Sequence, residues 1–249
     1  MKRLATAAAL AAFSIPPALA SDASDPKADG RWRGNFTLGL SYSAGNTDET
    51  TASLAAEAAR ATAEGKLGVA ATARAGRSRQ GGVESTTAEL YKLGGRYDRN
   101  LSTRHFAFAG LDLEHDGLQQ LDLRSTANAG LGWHVIKGGD DTLDVFAGVG
   151  ATRERYEALT RDFAEIVLGE ESRHRISGAV TLRQKLAFYR NLEDAGEYRA
   201  AFEAGLATAI AAGWTFNVAL TSRYVSNPLP GLDRTDTLLL VGVGGSFGP

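Results

Sequence analysis

Residues 31–43 read Arg-Trp-Arg-Gly-Asn-Phe-Thr-Leu-Gly-Leu-Ser-Tyr-Ser, and the two faces of this stretch decide the fold. In an extended chain Trp32, Gly34, Phe36, Leu38, Leu40 and Tyr42 share one side, while Arg31, Arg33, Asn35, Thr37, Gly39, Ser41 and Ser43 share the other. A period of two over about eleven residues is the mark of a β-strand with one apolar face. Aromatic residues stand at both ends of that face, where the two interfaces of a membrane would lie.

The same alternation returns along the chain. It is clear from Leu121 to Val135, Leu143 to Ala151, Tyr198 to Ile210, Trp214 to Tyr224 and Leu239 to Phe247, and in Ile176, Val180 and Leu182 with Arg173, Arg175, Ser177, Thr181 and Arg183 opposite. Two regions, Thr86 to Tyr97 and Arg104 to Glu114, change phase partway, since Phe106 and Phe108 oppose Leu111 and Leu113; a β-bulge would restore the phase. The Ala-rich stretch Thr51 to Ala63 has helix-forming composition. Yet Thr51, Ser53 and Glu57 fall on odd positions and Ala52, Leu54, Ala56 and Ala58 on even ones, so pattern predicts a strand.

The first twenty residues carry a basic start (Lys2, Arg3), an apolar stretch from Leu4 to Ile15 and a closing Ala18-Leu19-Ala20. This is the form of a secretory signal cut after Ala20, and its apolar core of about 12 residues is short for a membrane-spanning helix, which needs roughly 20. Residues 21–30 are then a short periplasmic N-terminal segment, and 31–249 the barrel. Without Lys2 and Arg3, 25 of the 27 basic residues remain against 29 acidic ones, a balance of −4 that gives no footing for nucleic-acid binding. Cys is absent, which excludes disulfides, thiol chemistry and a lipid anchor on Cys. No later stretch approaches about 18 uncharged apolar residues, so a spanning segment must be a barrel strand, which tolerates a polar residue at every second position.

Turn signals at 44–47, 64–65, 81–82, 98–100, 116–117, 138–140, 196, 212–213 and 227–231 bound these segments. With the first strand running outward, the loops at 44–48, 77–85, 115–120 and 153–172 fall outside and tight turns near 64, 99 and 138 inside. That count gives eleven strands. A single-chain barrel with both termini inside needs an even number, which a tight turn near Gln184 supplies. The expected fold is a closed, all-β, antiparallel, up-and-down transmembrane barrel of twelve strands, with ten as the alternative.

The chain resembles the YdiY-like family of salt-induced outer-membrane proteins. The resemblance is carried by Trp32-Arg33-Gly34, Ser43-Ala44-Gly45-Asn46-Thr47, the run from Glu114 to Arg124, Asn227-Pro228-Leu229-Pro230-Gly231 followed by Asp236, and Phe247 in the final strand. It spans nearly all of residues 31–247 and departs from the family pattern in the compressed stretch Arg183 to Tyr189. It implies an outer-membrane barrel of undefined substrate, and supplies no catalytic residue.

Candidate functional residues follow from the register. Arg124, Arg175, Arg183, Arg223, Asp122 and Glu203 are expected to line the lumen, either tuning a narrow pore or pairing into a polar core. Asp112, Glu114 and Asp116 form an acidic cluster on an outer hairpin. It is a candidate cation site, with a solvated, lipopolysaccharide-facing loop as the simpler reading. Of the four His, His134 faces inward, His115 lies at the outer rim, and His105 and His174 lie near strand ends. No nucleophile elbow or metal-ligand spacing is present. The expectation is a non-enzymatic outer-membrane barrel with no cofactor or bound metal, either a narrow passive pore or a structural envelope protein responding to osmotic or salt stress. Its partners would be outer-membrane lipid, lipopolysaccharide and, during insertion, the barrel-assembly machinery. The alternatives are a barrel hydrolase using His115 and the neighbouring acids, and a soluble periplasmic β-barrel binding protein.

Overall fold

The computed structural model describes residues 27–43, 48–157, 159–228 and 233–248, with side chains described from position 49 onward after the first turn. The signal at 1–20, the turn at 44–47, the Tyr42 side chain and Leu229-Pro230-Gly231 lie outside the described residues.

Twelve antiparallel strands follow one another around a closed ring. They are β1 Trp32–Ser43, β2 Asp48–Ala61, β3 Gly65–Gln80, β4 Val83–Asn100, β5 His105–Asp116 and β6 Leu121–Lys137. The second half comprises β7 Asp141–Tyr156, β8 Thr160–Arg175, β9 Val180–Asn191, β10 Tyr198–Ala211, β11 Trp214–Val225 and β12 Thr235–Phe247. Neighbours in sequence are neighbours in space, and β1 closes on β12 from Gly34 opposite Phe247 to Leu38 opposite Val243. The start of β1 and the end of β12 lie at one end of the ring, here the terminal end; the other is the distal end.

Most of the large apolar residues of the strands point away from the ring axis. Leu40, Leu131 and Leu239 are 80%, 62% and 64% exposed, whereas Arg33, Arg74, Arg124 and Glu203 are buried. A soluble barrel would reverse these faces, because burial of apolar surface from water drives its folding. Here the apolar face is the one that meets lipid. Outward Trp32, Trp133 and Trp214 belt the terminal end, with Phe36 edge-on to Trp214. The Phe188–Tyr198–Tyr224 stack lies toward the distal end.

The Ala-rich segment is strand β2, as its alternation required. The turn that makes the strand number even is at 176–179, not near Gln184, and β8 and β9 meet there. Arg173 pairs with Arg183 and Arg175 with Thr181, odd with odd, so the alternation runs through the turn without a break. Ser177 builds the turn, its hydroxyl accepting from the amides of Ala179 and Val180. The expected outer loop at 153–172 shrinks to residues 157–159, because β7 and β8 pair as far as Arg155 opposite Thr160. Likewise 77–85 is strand around the Gly81-Gly82 turn, whose positive φ angles at both residues are those a two-residue hairpin needs.

One expected bulge is present and the other is not. The β3–β4 ladder slips where Gly76 faces Ala88 and Arg77 faces Thr86, leaving Thr87 unpaired. In β5, by contrast, no slip interrupts His105 to Glu114, and Phe106 and Phe108 point into the lumen, buried. Phe106 fits there because Gly132 opposite has no side chain: a Cβ at 132 would lie 2.1 Å from the Phe106 ring. Gly132→Val should therefore destabilise the barrel by about 1 to 3 kcal/mol through overpacking, read as a lower urea midpoint in micelles. The companion Phe106→Ala/Gly132→Val should recover part of the loss.

Candidate functional site: the lumen

Alternation with lipid outside forces charged side chains into the barrel, where burial makes a partner valuable. Arg124 donates to Glu154 at 2.7 Å and to Glu114 at 3.4 Å, all three buried. Glu154 also receives Arg161 at 2.7 Å. Lys185 meets Glu171 at 2.9 Å, and Arg199 pairs with Glu165. Two ties cross the ring rather than following its wall. Arg96 on β4 reaches Glu171 on β8 at 3.3 Å, and Arg223 on β11 reaches Glu114 on β5, half the ring away, at 3.7 Å.

An apolar layer interrupts this polar interior. Phe106, Phe108, Phe146 and Val167 form a buried cluster with Tyr189 packed against it. Phe108 and Phe146 meet edge-on at 5.4 Å between centroids. The Arg96 guanidinium lies 4.5 Å from the Phe108 centroid and 4.7 Å from that of Phe146, within reach of a cation–π attraction. Arg96 is also held by Asp98 at 2.7 Å.

Among the cavities lined by the described residues, three lie in series along the axis. A distal vestibule of about 260 Å³ is lined by Glu154, Arg161, Glu165, Glu197, Asp233 and Asp236 among others. A terminal vestibule of about 390 Å³ is lined by Lys66, Asp98, His134, Asp144, Arg173 and Arg183 among others. Between them a chamber of about 70 Å³ shares Arg124, Tyr189 and Arg199 with the first, and Arg96 and Lys185 with the second. These shared side chains are the partitions.

Most of the residues expected to line the lumen do so: Arg124, Arg183, Arg223 and Glu203 are buried inside the ring. Two do not. Asp122 sits exposed at a slip of the β5–β6 ladder, which turns it out of the lumen, and its carbonyl receives His115 Nδ1 at 3.0 Å. Arg175 lies at the terminal rim, near Asp140 at 3.7 Å. The acidic cluster is not on a surface loop, because β5 continues to Asp116 and carries Asp112, Glu114 and Asp116 inward. There Glu114 binds Arg124, and Asp116 caps the short turn Gly117–Gln119 by accepting from the amides of Leu118 and Gln119. Lys92, Arg96, Glu154, Glu165, Glu171 and Lys185 were missed as site residues; their inward parity was readable, but not which of them meet. His134 faces inward and holds Asp144 at 2.7 Å. His115 faces outward, stacked on Tyr91.

A family model described as a protein of unknown function, DUF481, matches residues 36–247. Among solved structures, the NanC porin is similar, with a TM-score of 0.51 at 12% identity over 86% of this chain and 100% of that one. An outer membrane channel from Pseudomonas putida F1 has a TM-score of 0.50 at 12% identity, over 95% of this chain and 100% of its own. At these identities the likeness is one of fold. No curated protein matches the sequence.

Removing one member of a buried ion network leaves the others uncompensated. Arg124→Met should destabilise the barrel by about 3 to 5 kcal/mol, and Arg124→Met/Glu154→Met should recover much of that; chemical unfolding of both variants measures it. A second test concerns the chain ahead of β1, where Arg33 clasps Asp29 through both carboxylate oxygens. These bonds hold the Asp29 carboxyl far below the usual carboxylate range. A depressed carboxylate favours the folded clasp above its unfolded pKa and loses it as pH falls through the folded one. The Asp29 carboxylate ¹³C resonance should therefore stay unchanged from pH 7 down to about pH 4, where an ordinary aspartate titrates. Titration at the ordinary position would refute the clasp.

Proposed function

The chain belongs to the family described as proteins of unknown function, DUF481, and on that premise we propose that it is a narrow outer-membrane channel for small solutes, closed at rest by its own lumen side chains. In this reading the terminal end, with its tight turns, faces the periplasm after export through the signal at 1–20, and the distal end faces out. The carrying observation is the series arrangement: two wide, charge-lined vestibules at opposite ends converge on one small chamber behind side-chain partitions. A barrel kept only for support has no need of two such vestibules. Buried ion pairs contribute little net stability compared with well-packed apolar groups, so their abundance here is better explained by a lumen that must be wet. Twelve strands also place the bore between side-chain-filled eight-stranded barrels and open sixteen-stranded porins.

A supporting barrel that never conducts is the second reading, favoured by the Arg223–Glu114 tie across the full ring. Planar bilayers separate the two. Wild-type protein should give rare, small current steps, and Phe108→Ala/Phe146→Ala should raise the unitary conductance several-fold by joining the chamber to the terminal vestibule. If the double variant, shown folded by its heat-shifted gel migration, conducts no more than the wild type and neither gives steps, the channel reading fails.

A further inference from the structure

We propose that the outer wall of β9 to β12 carries a binding site for the phosphorylated headgroup of an outer-leaflet glycolipid, built from Arg190, Arg234 and the Phe188–Tyr198–Tyr224 stack. The leaflet rests on the orientation read above, in which the distal end faces out. Arg190 on β9 stands directly opposite Tyr198 on β10 and, on its other side, opposite Ile166 of β8, so it shares the lipid-facing wall with both. Arg234, whose carbonyl accepts from the amide of Val225 next to Tyr224, is within electrostatic reach of Tyr198. Tyr198 meets Phe188 at 5.7 Å and Tyr224 at 5.6 Å between ring centroids. Two guanidinium groups therefore flank one continuous aromatic surface.

The level of this patch in the membrane is set by the strand beneath it. Trp214 and Tyr224, both outward, are ten residue steps apart on β11, about 33 Å of extended chain at roughly 3.3 Å per residue. On a strand tilted by roughly 40° that length covers about 25 Å of the membrane normal, the height of the apolar band of such barrels. Trp214 marks one interface, and Tyr224 with Arg190 and Arg234 marks the other, where lipid headgroups lie. Below the patch Leu186 and Leu239 are exposed to the acyl chains. Among the described residues neither guanidinium is tied into an ion pair. The acids nearest in sequence are engaged elsewhere, since Asp233 lines the distal vestibule and Asp194 accepts from the amide of Gly196 at 2.9 Å. Planar guanidinium forks bind phosphate oxygens in bidentate fashion. Tyrosine at an interface sets its ring against lipid and its hydroxyl toward the headgroup. The patch thus offers each part of a phosphorylated glycolipid a matching surface.

The site does not require the lumen to conduct, so its failure and that of the channel reading are separate results. The test uses the full chain refolded in maltoside micelles, with bisphosphorylated lipid A as the probe and native mass spectrometry of the lipid adduct as the readout. Saturable binding is expected, with dephosphorylated lipid A and phosphatidylglycerol bound more weakly. Arg190→Gln/Arg234→Gln, shown folded by its heat-shifted gel migration, should weaken binding about tenfold or more, as loss of charge-assisted bonds does. Arg190→Lys, which keeps the charge and loses the fork, should fall between the two. Arg99→Gln, an exposed position at the terminal end, should leave binding unchanged. On intact cells a membrane-impermeant maleimide should label Glu193→Cys, in the exposed segment between β9 and β10. No saturable binding by the wild type, equal binding of dephosphorylated lipid A or of phosphatidylglycerol, equal binding by the folded double variant, equal loss on Arg99→Gln, or no labelling of Glu193→Cys would each overturn the proposal.

Discussion

The contact on which the interior depends is the tie between Arg223 and Glu114. It joins strands half a ring apart at 3.7 Å, so the two walls of the barrel meet through their side chains. It exists because lipid claims one face of every strand, which leaves charges nowhere to go but inward. A guanidinium enclosed there without a counter-charge would cost several kcal/mol. Glu114 is shared among Arg124, Arg223 and Lys92, and Arg124 in turn is shared between Glu114 and Glu154. The network is thus continuous from the middle of the lumen to the distal vestibule, where Arg161 carries it on to Glu197.

This sharing explains the position of the cavities. Where acids and bases alternate around the wall and reach across, as at Arg223 and Glu114, the lumen is filled. Where partners are neighbours on adjacent strands, as Lys66 and Asp98 or His134 and Asp144, the side chains lie along the wall and leave a vestibule. At these levels the direction in which the ion pair points goes with whether the lumen is filled or open.

Much of the architecture was legible because alternation reports directly which face meets lipid. The Arg33, Arg124, Arg183, Arg223 and Glu203 side chains could be placed inside from parity alone. Three features escaped for physical reasons. The β8–β9 turn joins paired residues of equal parity, so the alternation passes through it and no phase break marks its place. Phe106 and Phe108 imitated a bulge because the reading equated apolar with outward, whereas Gly132 and Arg96 make an inward place for aromatic rings. Asp122 failed for the opposite reason, since a real slip in the ladder reversed its face. Which charges meet across the lumen is set by strand stagger around the ring, a quantity no single strand encodes.

The aromatic layer has a property that an aliphatic one would lack. Its cover is Arg96, a side chain held by an acid on its own strand, Asp98, and by one across the lumen, Glu171. Loss of the second contact leaves the first intact, so the guanidinium can swing back toward the β4 wall while still paired. Glu171 is meanwhile kept compensated by Lys185. Neither end of the broken tie is then left as an unpaired buried charge, the outcome that makes most such rearrangements prohibitive. On the channel reading proposed above, the barrier between chamber and vestibule is built from contacts that can exchange partners, with the Phe108–Phe146 pair as the part that must move aside.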